Sequence, residues 1–356
     1  MSQFVLRSYI SNYFGYGMHG LQILKDFTSF GYDVRVVPMS LDMRDTDFRQ
    51  AVTEDTELIK RCVSPDKNPN FKRELVLGLP YQEFPQDGRK RVFFTMWETN
   101  RIPRKGVDNL NRVSHVVVPC EWNACSFNAC GVARPISISQ LGIDTSVYNL
   151  LPKPTEGLCV FGTGGRLTAG GIRKNIADMP RIFADAFPNQ NDVRLSLKTF
   201  PDEAVPETFD PRVEVINRFL SPRDMAQWYA RLTVYVSVSN SEGWGLMPHQ
   251  AMAVGRPALA PRFGGMREYF DDSVGYPVDF NLVPCGGIYA QDDFSAGGYW
   301  AEINRDDLID KMRWVYNNQD KVAEMGKVAS ARAMKYSWTA AHRRLEKVLK
   351  DAHFFD

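Results

Sequence analysis

The 356-residue chain is poor in several signals that would narrow its role at once. It has six cysteines, and Cys62, Cys120, Cys125, Cys130, Cys159 and Cys285 form no Cys-x-x-Cys pair. With no His-x3-His downstream, zinc-finger chemistry is excluded, and the even spacing of Cys120, Cys125 and Cys130 reads as small buried residues. No apolar run reaches the roughly 18 residues that a membrane span needs. The stretch Met1–Ile10 lacks a basic region followed by an apolar one, so it reads as a first strand and not as a signal peptide. Neither sign of charge dominates: 43 Lys and Arg face 42 Asp and Glu, a formal net charge of +1. Such a chain is not a bulk polyanion binder, and no stable nucleic-acid binding is expected. Repeats and low-complexity tracts are absent as well. With 44% apolar and 24% charged residues, the expectation is an ordinary soluble globular protein with reduced thiols, hence cytoplasmic, with at most peripheral contact to a membrane.

What is present is alternation. Apolar runs at Phe4–Ile10, Asp33–Pro38, Glu74–Leu79, Arg91–Trp97, His115–Pro119 and Ile136–Gln140 predict strands. Leu21–Phe30 has helical spacing between the first two, and the others are separated by helix-length polar segments. This is the signature of parallel β-α-β units. Leu151–Gly157, with two prolines and a glycine, predicts a linker. The pattern then restarts. Strands are predicted at Leu158–Gly162, Val193–Thr199, Val213–Ile216, Val234–Val238 and Pro257–Ala260, and helices at Ile176–Phe187, Pro222–Ala230 and Pro248–Val254. A charged helical tail fills Asp306–Lys350 apart from a break at Tyr336–Trp338. Two doubly wound α/β domains follow, 1–150 and 151–338, with a last helix, 339–356, packing back toward the first domain.

Four clusters could carry chemistry. Gly15-Tyr16-Gly17-Met18-His19-Gly20 follows the first strand, where glycines let a backbone approach a phosphate and a helix N-terminus favours anions. A tight strand–helix turn explains Gly15 and Gly17 equally well. A dinucleotide reading needs an acidic residue ending the second strand, and Val36-Val37-Pro38 supplies none. Gly164-Gly165-Arg166, followed by Arg173-Lys174-Asn175, sets cations beside a flexible turn at a strand's C-terminal end. Arg166 and Lys174 would neutralise a diphosphate leaving group there. The sharpest segment is Ser239–Pro257, in which Glu242 stands between a strand and the turn Gly243-Trp244-Gly245-Leu246. Pro248 fits the first turn of a helix, Gly255 its C-terminal cap, and Gln250 lies about two turns along. The fourth cluster, Trp97-Glu98-Thr99-Asn100-Arg101, offers Glu98 and Arg101 either to an acceptor or to a structural ion pair. Asp42, Asp45 and Asp47 read as a solvated loop, and no metal site is expected.

These segments resemble glycosyltransferase family 4. The resemblance runs from Arg212 to Phe270 through Leu220-Ser221-Pro222-Arg223-Asp224-Met225, Glu242–Leu246, Gln250-Ala251-Met252-Ala253 and Gly264-Gly265-Met266-Arg267-Glu268-Tyr269. Arg173-Lys174-Asn175, Trp97–Pro103, Val118–Asn123, Gly142-Ile143-Asp144 and Ser337-Trp338 extend it along nearly the whole chain. It implies the GT-B fold, two Rossmann-like domains facing across a cleft. It also implies a retaining transfer from a UDP- or GDP-sugar, with no cofactor and no metal, to a carbohydrate, lipid-linked or other hydroxyl acceptor. Arg166 and Lys174 would hold the diphosphate with Gly165 and the helix start at Gly245, and Glu242 would orient donor hydroxyls. Gly15 and Gly17 would close over the phosphates, and the acceptor would pass His19 and Glu98. The family carries a second glutamate eight positions after the first; Gln250 stands there and would meet the ribose without a charge. Many members also have a histidine where Trp97-Glu98 stands. The departures leave two alternatives: an inactive sugar-nucleotide-binding module, and a transferase acting on a modified nucleic-acid base. The segment Phe280–Trp300 has no reading from sequence.

Overall fold

The computed structural model describes residues 2–41, 60–61, 71–154, 157–167, 173–203, 210–291, 293, 295 and 297–356. Asp42, Asp45, Asp47 and Cys62 lie outside them.

Strands β1 (Gln3–Ile10), β2 (Asp33–Leu41), β3 (Arg73–Leu77), β4 (Lys90–Phe94), β5 (His115–Val118) and β6 (Ile136–Ile138) form one parallel sheet in the order β2-β1-β3-β4-β5-β6. A second parallel sheet contains β7 (Cys159–Gly164), β8 (Val193–Thr199), β9 (Val213–Asn217), β10 (Val234–Val236), β11 (Ala258–Ala260) and β12 (Tyr276–Pro277), ordered β12-β11-β10-β7-β8-β9. The inner strands are apolar on both faces because helices cover both sides; every residue of β7 is buried. In each sheet the order reverses beside the first strand, between β1 and β3 and between β7 and β10. Ligands of open α/β sheets bind at the carboxyl ends of such neighbouring strands.

The chain divides into two units: 1–97 with 101–142 and 336–356, and 98–100 with 143–335. The division therefore falls at Gly142, ahead of the predicted linker, and there is a physical reason. Leu151 N–H donates to Val254 O at 3.2 Å, and Arg256 Nη2 donates to Leu151 O at 3.0 Å, which ties that stretch into the second unit. In the first unit, Phe4 packs edge-on against Phe27 at 5.5 Å and Phe354 at 5.9 Å, so the C-terminal residues close its core. Phe161, Phe183, Phe187, Leu195, Val236 and Met312 lie at the heart of the second core.

Local chemistry sets the helix starts. Ser221 accepts from Asp224 N–H at 3.1 Å with Pro222 at the first helical position, Asn304 caps Arg305–Asn317, and Ser337 caps Trp338–Asp351. Two expectations need correction. The first helix runs Gly15–Ser29, not from Leu21, so Gly15 and Gly17 are in its opening turns. A Cβ on Gly17 would stand 2.5 Å from Ser11 Cβ, and one on Gly20 2.4 Å from Tyr9 O, so these glycines let the helix lie against β1. Helices Arg104–Leu110 and Glu121–Ala129 fill two of the helix-length polar segments expected between strands. Of the evenly spaced cysteines around the latter, Cys120 is buried but Cys125 is exposed and Cys130 half-buried. Finally, Phe280–Trp300 contributes an antiparallel hairpin, β13 (Phe280–Pro284) with β14 (Tyr299–Ile303), carrying a 3-10 turn at Gly287–Ala290. No helix among the described residues is long and apolar enough to cross a membrane.

Candidate functional site

Three segments of the second unit, at Glu98, at Arg173–Lys174 and at Glu242, bring ionisable groups together at the carboxyl ends of β7 and β10. Arg173 and Lys174 precede Asn175, which takes a left-handed conformation at φ 51° and starts the turn into Ile176–Asp178. Asparagine tolerates that conformation better than most residues. Its amide donates to Asn240 Oδ1, and Asn240 N–H donates to Arg173 O at 2.9 Å, so the two loops are stitched together. Gly245, at φ 90°, opens the helix Leu246–Ala253, and Gly255, at φ 87°, follows its end, as expected.

Glu242 is the hub. Its carboxylate contacts Lys174 Nζ and lies 3.2 Å from Arg173 Nη1. Burial alone would raise the carboxyl, but Lys174 and Arg173 outweigh it and hold it at about 2. Lys174 is lowered from the ordinary lysine range, by burial first, with Glu242 pulling it back up and Arg173 adding to the fall. Arg173 is buried and stays charged: burial opposes the charge, and Glu242 and Glu98 overcome it. It lies 3.3 Å from Glu98 Oε1, donates to Ser239 Oγ at 3.2 Å and bonds the Ser241 carbonyl. A buried charge needs such a full set of partners.

Arg166 stands apart from this group. Its side chain is 37% exposed, packs over Phe200 at 4.6 Å and pairs with Glu203 at 2.9 Å and Asp202 at 3.3 Å. Lys198, which sequence reasoning missed, is buried beside the same ring at 4.9 Å; burial, helped by Arg218, lowers it to about 8. Gly165 has φ 148°, with Lys174 Cγ 3.4 Å from where a Cβ would be.

The remaining predicted residues separate into two groups. Gln250 sits in the helix, buried, and accepts from the Tyr229 hydroxyl at 3.2 Å. Gly243 is crossed closely by Gly265, where a Cβ would come 2.0 Å from Gly243 O. Trp244 is 1% exposed, and its indole N–H donates to His249 Nδ1 at 3.2 Å. His249 stacks on Tyr269 at 4.7 Å, whose hydroxyl donates to Gly245 O at 2.7 Å. Trp244 is therefore a brace beneath the loop. Leu246 opens the helix and is half-buried.

Gly15, Gly17 and Arg101 belong to the first unit. His19, expected on the acceptor's path, is 1% exposed, enclosed by Phe94 at 4.7 Å, Trp338 at 5.2 Å and His342 at 5.4 Å. Burial, helped by the neighbouring His342, lowers it well below the usual imidazole range, so it packs as a neutral ring. Sequence reasoning also ranked Arg173 behind its neighbour Lys174. Both were visible, and both meet the Glu242 carboxylate.

The cluster lies inside a stretch with known relatives. Residues 160–286 match the family model described as glycosyl transferases group 1. The match covers about a third of the chain and includes Arg166, Lys174, Glu242 and Gln250. A D-inositol 3-phosphate glycosyltransferase of Corynebacterium kroppenstedtii is 27% identical over 146 residues, 40% of this chain and 28% of that protein. One from Frankia alni is 35% identical over 77 residues, 21% and 19% of the two chains. The chain spans between 16% and 29% of the length of the curated relatives it matches. Among solved structures, a sucrose-phosphate synthase from Thermosynechococcus elongatus has a TM-score of 0.73 at 12% identity, covering 99% of both chains. Anabaena HepE in complex with UDP and glucose gives 0.67 at 14%, covering 99% of this chain and 100% of that one. The fold is that of GT-B glycosyltransferases, with two Rossmann-like parallel sheets.

Proposed function

We propose that this protein is a retaining glycosyltransferase of family 4 that moves a sugar from a UDP- or GDP-sugar to a hydroxyl acceptor without a metal ion. The observation that carries the reading is the Glu242 carboxylate, kept ionised by Lys174 and Arg173 at the carboxyl ends of β7 and β10, within the matched segment. An ionised carboxylate only accepts hydrogen bonds, which suits sugar hydroxyls. Lys174 would be shared between Glu242 and the departing diphosphate, with Arg166 as the second cation. The start of the helix Leu246–Ala253 adds backbone N–H groups that favour an anion. In this reading those groups supply the charge stabilisation that a divalent metal supplies elsewhere. Gln250 contacts the ribose, and the backbone of Gly243–Gly245 lines the sugar pocket. Glu98 and Arg101 remain the acceptor-side candidates; His19, enclosed by aromatic rings, receives no acceptor contact.

The test is a thermal-shift screen against nucleotide sugars with and without EDTA, followed by NMR of the product anomer. A ligand that binds only the folded protein raises the melting temperature. The reading fails if no nucleotide sugar shifts it, if EDTA removes the shift and the turnover, or if the product anomer is inverted.

A further inference from the structure

The stem of the β13–β14 hairpin meets the edge of the second sheet at an open cavity of about 460 Å³. Small-ligand sites occupy roughly 300–1,000 Å³. Its walls come from the residues that follow β11 (Arg262), β12 (Val278, Asp279) and β14 (Asn304), and from the start of β13 (Phe280, Asn281). Backbone pairing holds those exits together: Val278 N–H donates to Ala260 O at 2.8 Å, and Asn304 N–H to Asp279 O at 2.6 Å. Val278 is buried and Phe280 half-buried, with the Phe280 ring set edge-on against Phe263 at 5.6 Å, so part of the wall is apolar and fixed. The four polar residues are exposed. Among the described residues, the side chains of Arg262, Asp279 and Asn281 have no hydrogen-bond or ion-pair partner, and Arg262 and Asp279 line one cavity without bridging it. Asn304 uses only its Oδ1, which accepts from Asp307 N–H at 3.1 Å at the start of Arg305–Asn317, and its amide N–H groups stay available.

We infer that this cavity is a carbohydrate subsite that holds a neutral sugar unit of the acceptor, which makes the acceptor a saccharide. The acceptor role rests on the transferase reading above; the carbohydrate binding does not. One guanidinium and one carboxylate leave the cavity without net charge, so it favours an ion of neither sign. A sugar hydroxyl both donates and accepts, and the wall offers both: Arg262 and the Asn304 amide donate, Asp279 accepts, and Asn281 does either. The planar fork of Arg262 matches two adjacent oxygens at once. The apolar part, Val278 and Phe280, suits the C–H face of a pyranose ring. The cavity is also tied to the donor residues through the chain. Arg262 and Phe263 run directly into Gly264-Gly265, and Gly265 N–H donates to Glu242 O at 2.8 Å. On the hairpin side, Ala301 N–H donates to Asn240 O at 2.9 Å. Two of its walls are thus built on segments bonded to the loop that carries Glu242.

The experiment uses the full chain. Labelled wild type is applied to an immobilised set of α- and β-linked glucose, galactose, mannose and N-acetylglucosamine di- and trisaccharides. The glycan bound most strongly is then titrated by calorimetry into wild type, into Arg262→Ala combined with Asn281→Ala, and into Asp279→Asn, which keeps the shape of the wall. None of these side chains has a partner to lose, so both variants should melt as wild type does and respond equally to nucleotide sugars. The expected result is a loss of about tenfold or more in glycan affinity in the double variant, the scale of hydrogen bonds lost from a charged and a neutral group, and a smaller loss in Asp279→Asn. The KM for that glycan as acceptor should rise by a similar factor, with kcat little changed. The inference is overturned if wild type binds no glycan of the set, or if both variants bind the glycan as tightly as wild type. A glycan held through the cavity but glycosylated from no nucleotide sugar that wild type binds removes the acceptor role. If wild type binds no nucleotide sugar at all, the transferase reading falls with that role, and the glycan titration still decides whether the cavity holds a carbohydrate.

Discussion

Lowering the pH from 7 to 5 should destabilise the second unit through His249, which holds the loop bearing Glu242 from below. The ring is fully buried, accepts from Trp244 and stacks on Tyr269. Burial lowers it to about 4, against a weaker upward pull from the Ala333 backbone. In an unfolded chain its pKa is about 6.5. Because the folded value is the lower one, the neutral ring contributes stability that is complete above pH 6.5. That stability drains as the pH falls, since the unfolded chain takes up a proton that the folded one refuses, and the loss levels off below about 4. Between pH 7 and pH 5 the shift is worth about 2 kcal/mol, and over the whole window about 3 kcal/mol. Buried His19 and His342 are also lowered, and they act in the same direction from the other unit. The comparison must therefore be a difference. Urea unfolding followed by tryptophan fluorescence, at pH 7, 6 and 5, should show wild type losing about 2 kcal/mol more than His249→Gln. The glutamine keeps an acceptor for the Trp244 indole but cannot titrate. Identical pH slopes in the two proteins would refute the argument, whatever the variant costs at pH 7.

Lys174→Met should reduce turnover about 100-fold or more at saturating donor, because Glu242 and the leaving group lose the cation they share; steady-state rates check it, and near-normal turnover would remove Lys174 from the mechanism. Arg166→Ala should weaken nucleoside diphosphate binding about tenfold and leave Glu242 undisturbed, since Arg166 pairs with Glu203 instead; calorimetry reads it. Gly265→Ala places a methyl group 2.0 Å from Gly243 O and should destabilise the protein by about 1–3 kcal/mol while lowering donor affinity, both visible in thermal melts with and without ligand. Acid should also strip the Glu242 cluster: its carboxyl is depressed to about 2, so its contribution is present above about 4.5 and is lost as the pH falls toward 2, later than the His249 step. A Glu242→Gln variant should lack that second loss.

Strand positions were legible because strands covered on both faces are rich in apolar residues, and Val193–Thr199 was read to the residue although Arg194, Ser196 and Lys198 alternate with its apolar ones. The helix after β1 was read short because its first turns are glycine-rich, a composition that suits a loop unless the backbone has to touch a neighbouring strand. The helix-length spacers did not give the bounds of Arg104–Leu110 and Glu121–Ala129, because the first is barely two turns long and the second mixes polar and apolar residues around its circumference. The hairpin from Phe280 to Ile303 was unreadable because its strands have no clean alternation and the interval between them carries no two-residue turn signal.

Local chemistry along the chain thus determined the two α/β halves, the glycine at each end of the Leu246–Ala253 helix, and the candidate residues Arg166, Lys174, Glu242 and Gln250. These follow from periodicity, capping and charge, each of which acts over a few residues. Tertiary structure decided which of those residues meet. It turned Arg173 inward between Glu98 and Glu242, sent Arg166 to Glu203, and buried Trp244 and His19 as packing. Ion pairing and burial depend on distance in space, and sequence separation carries almost none of that information.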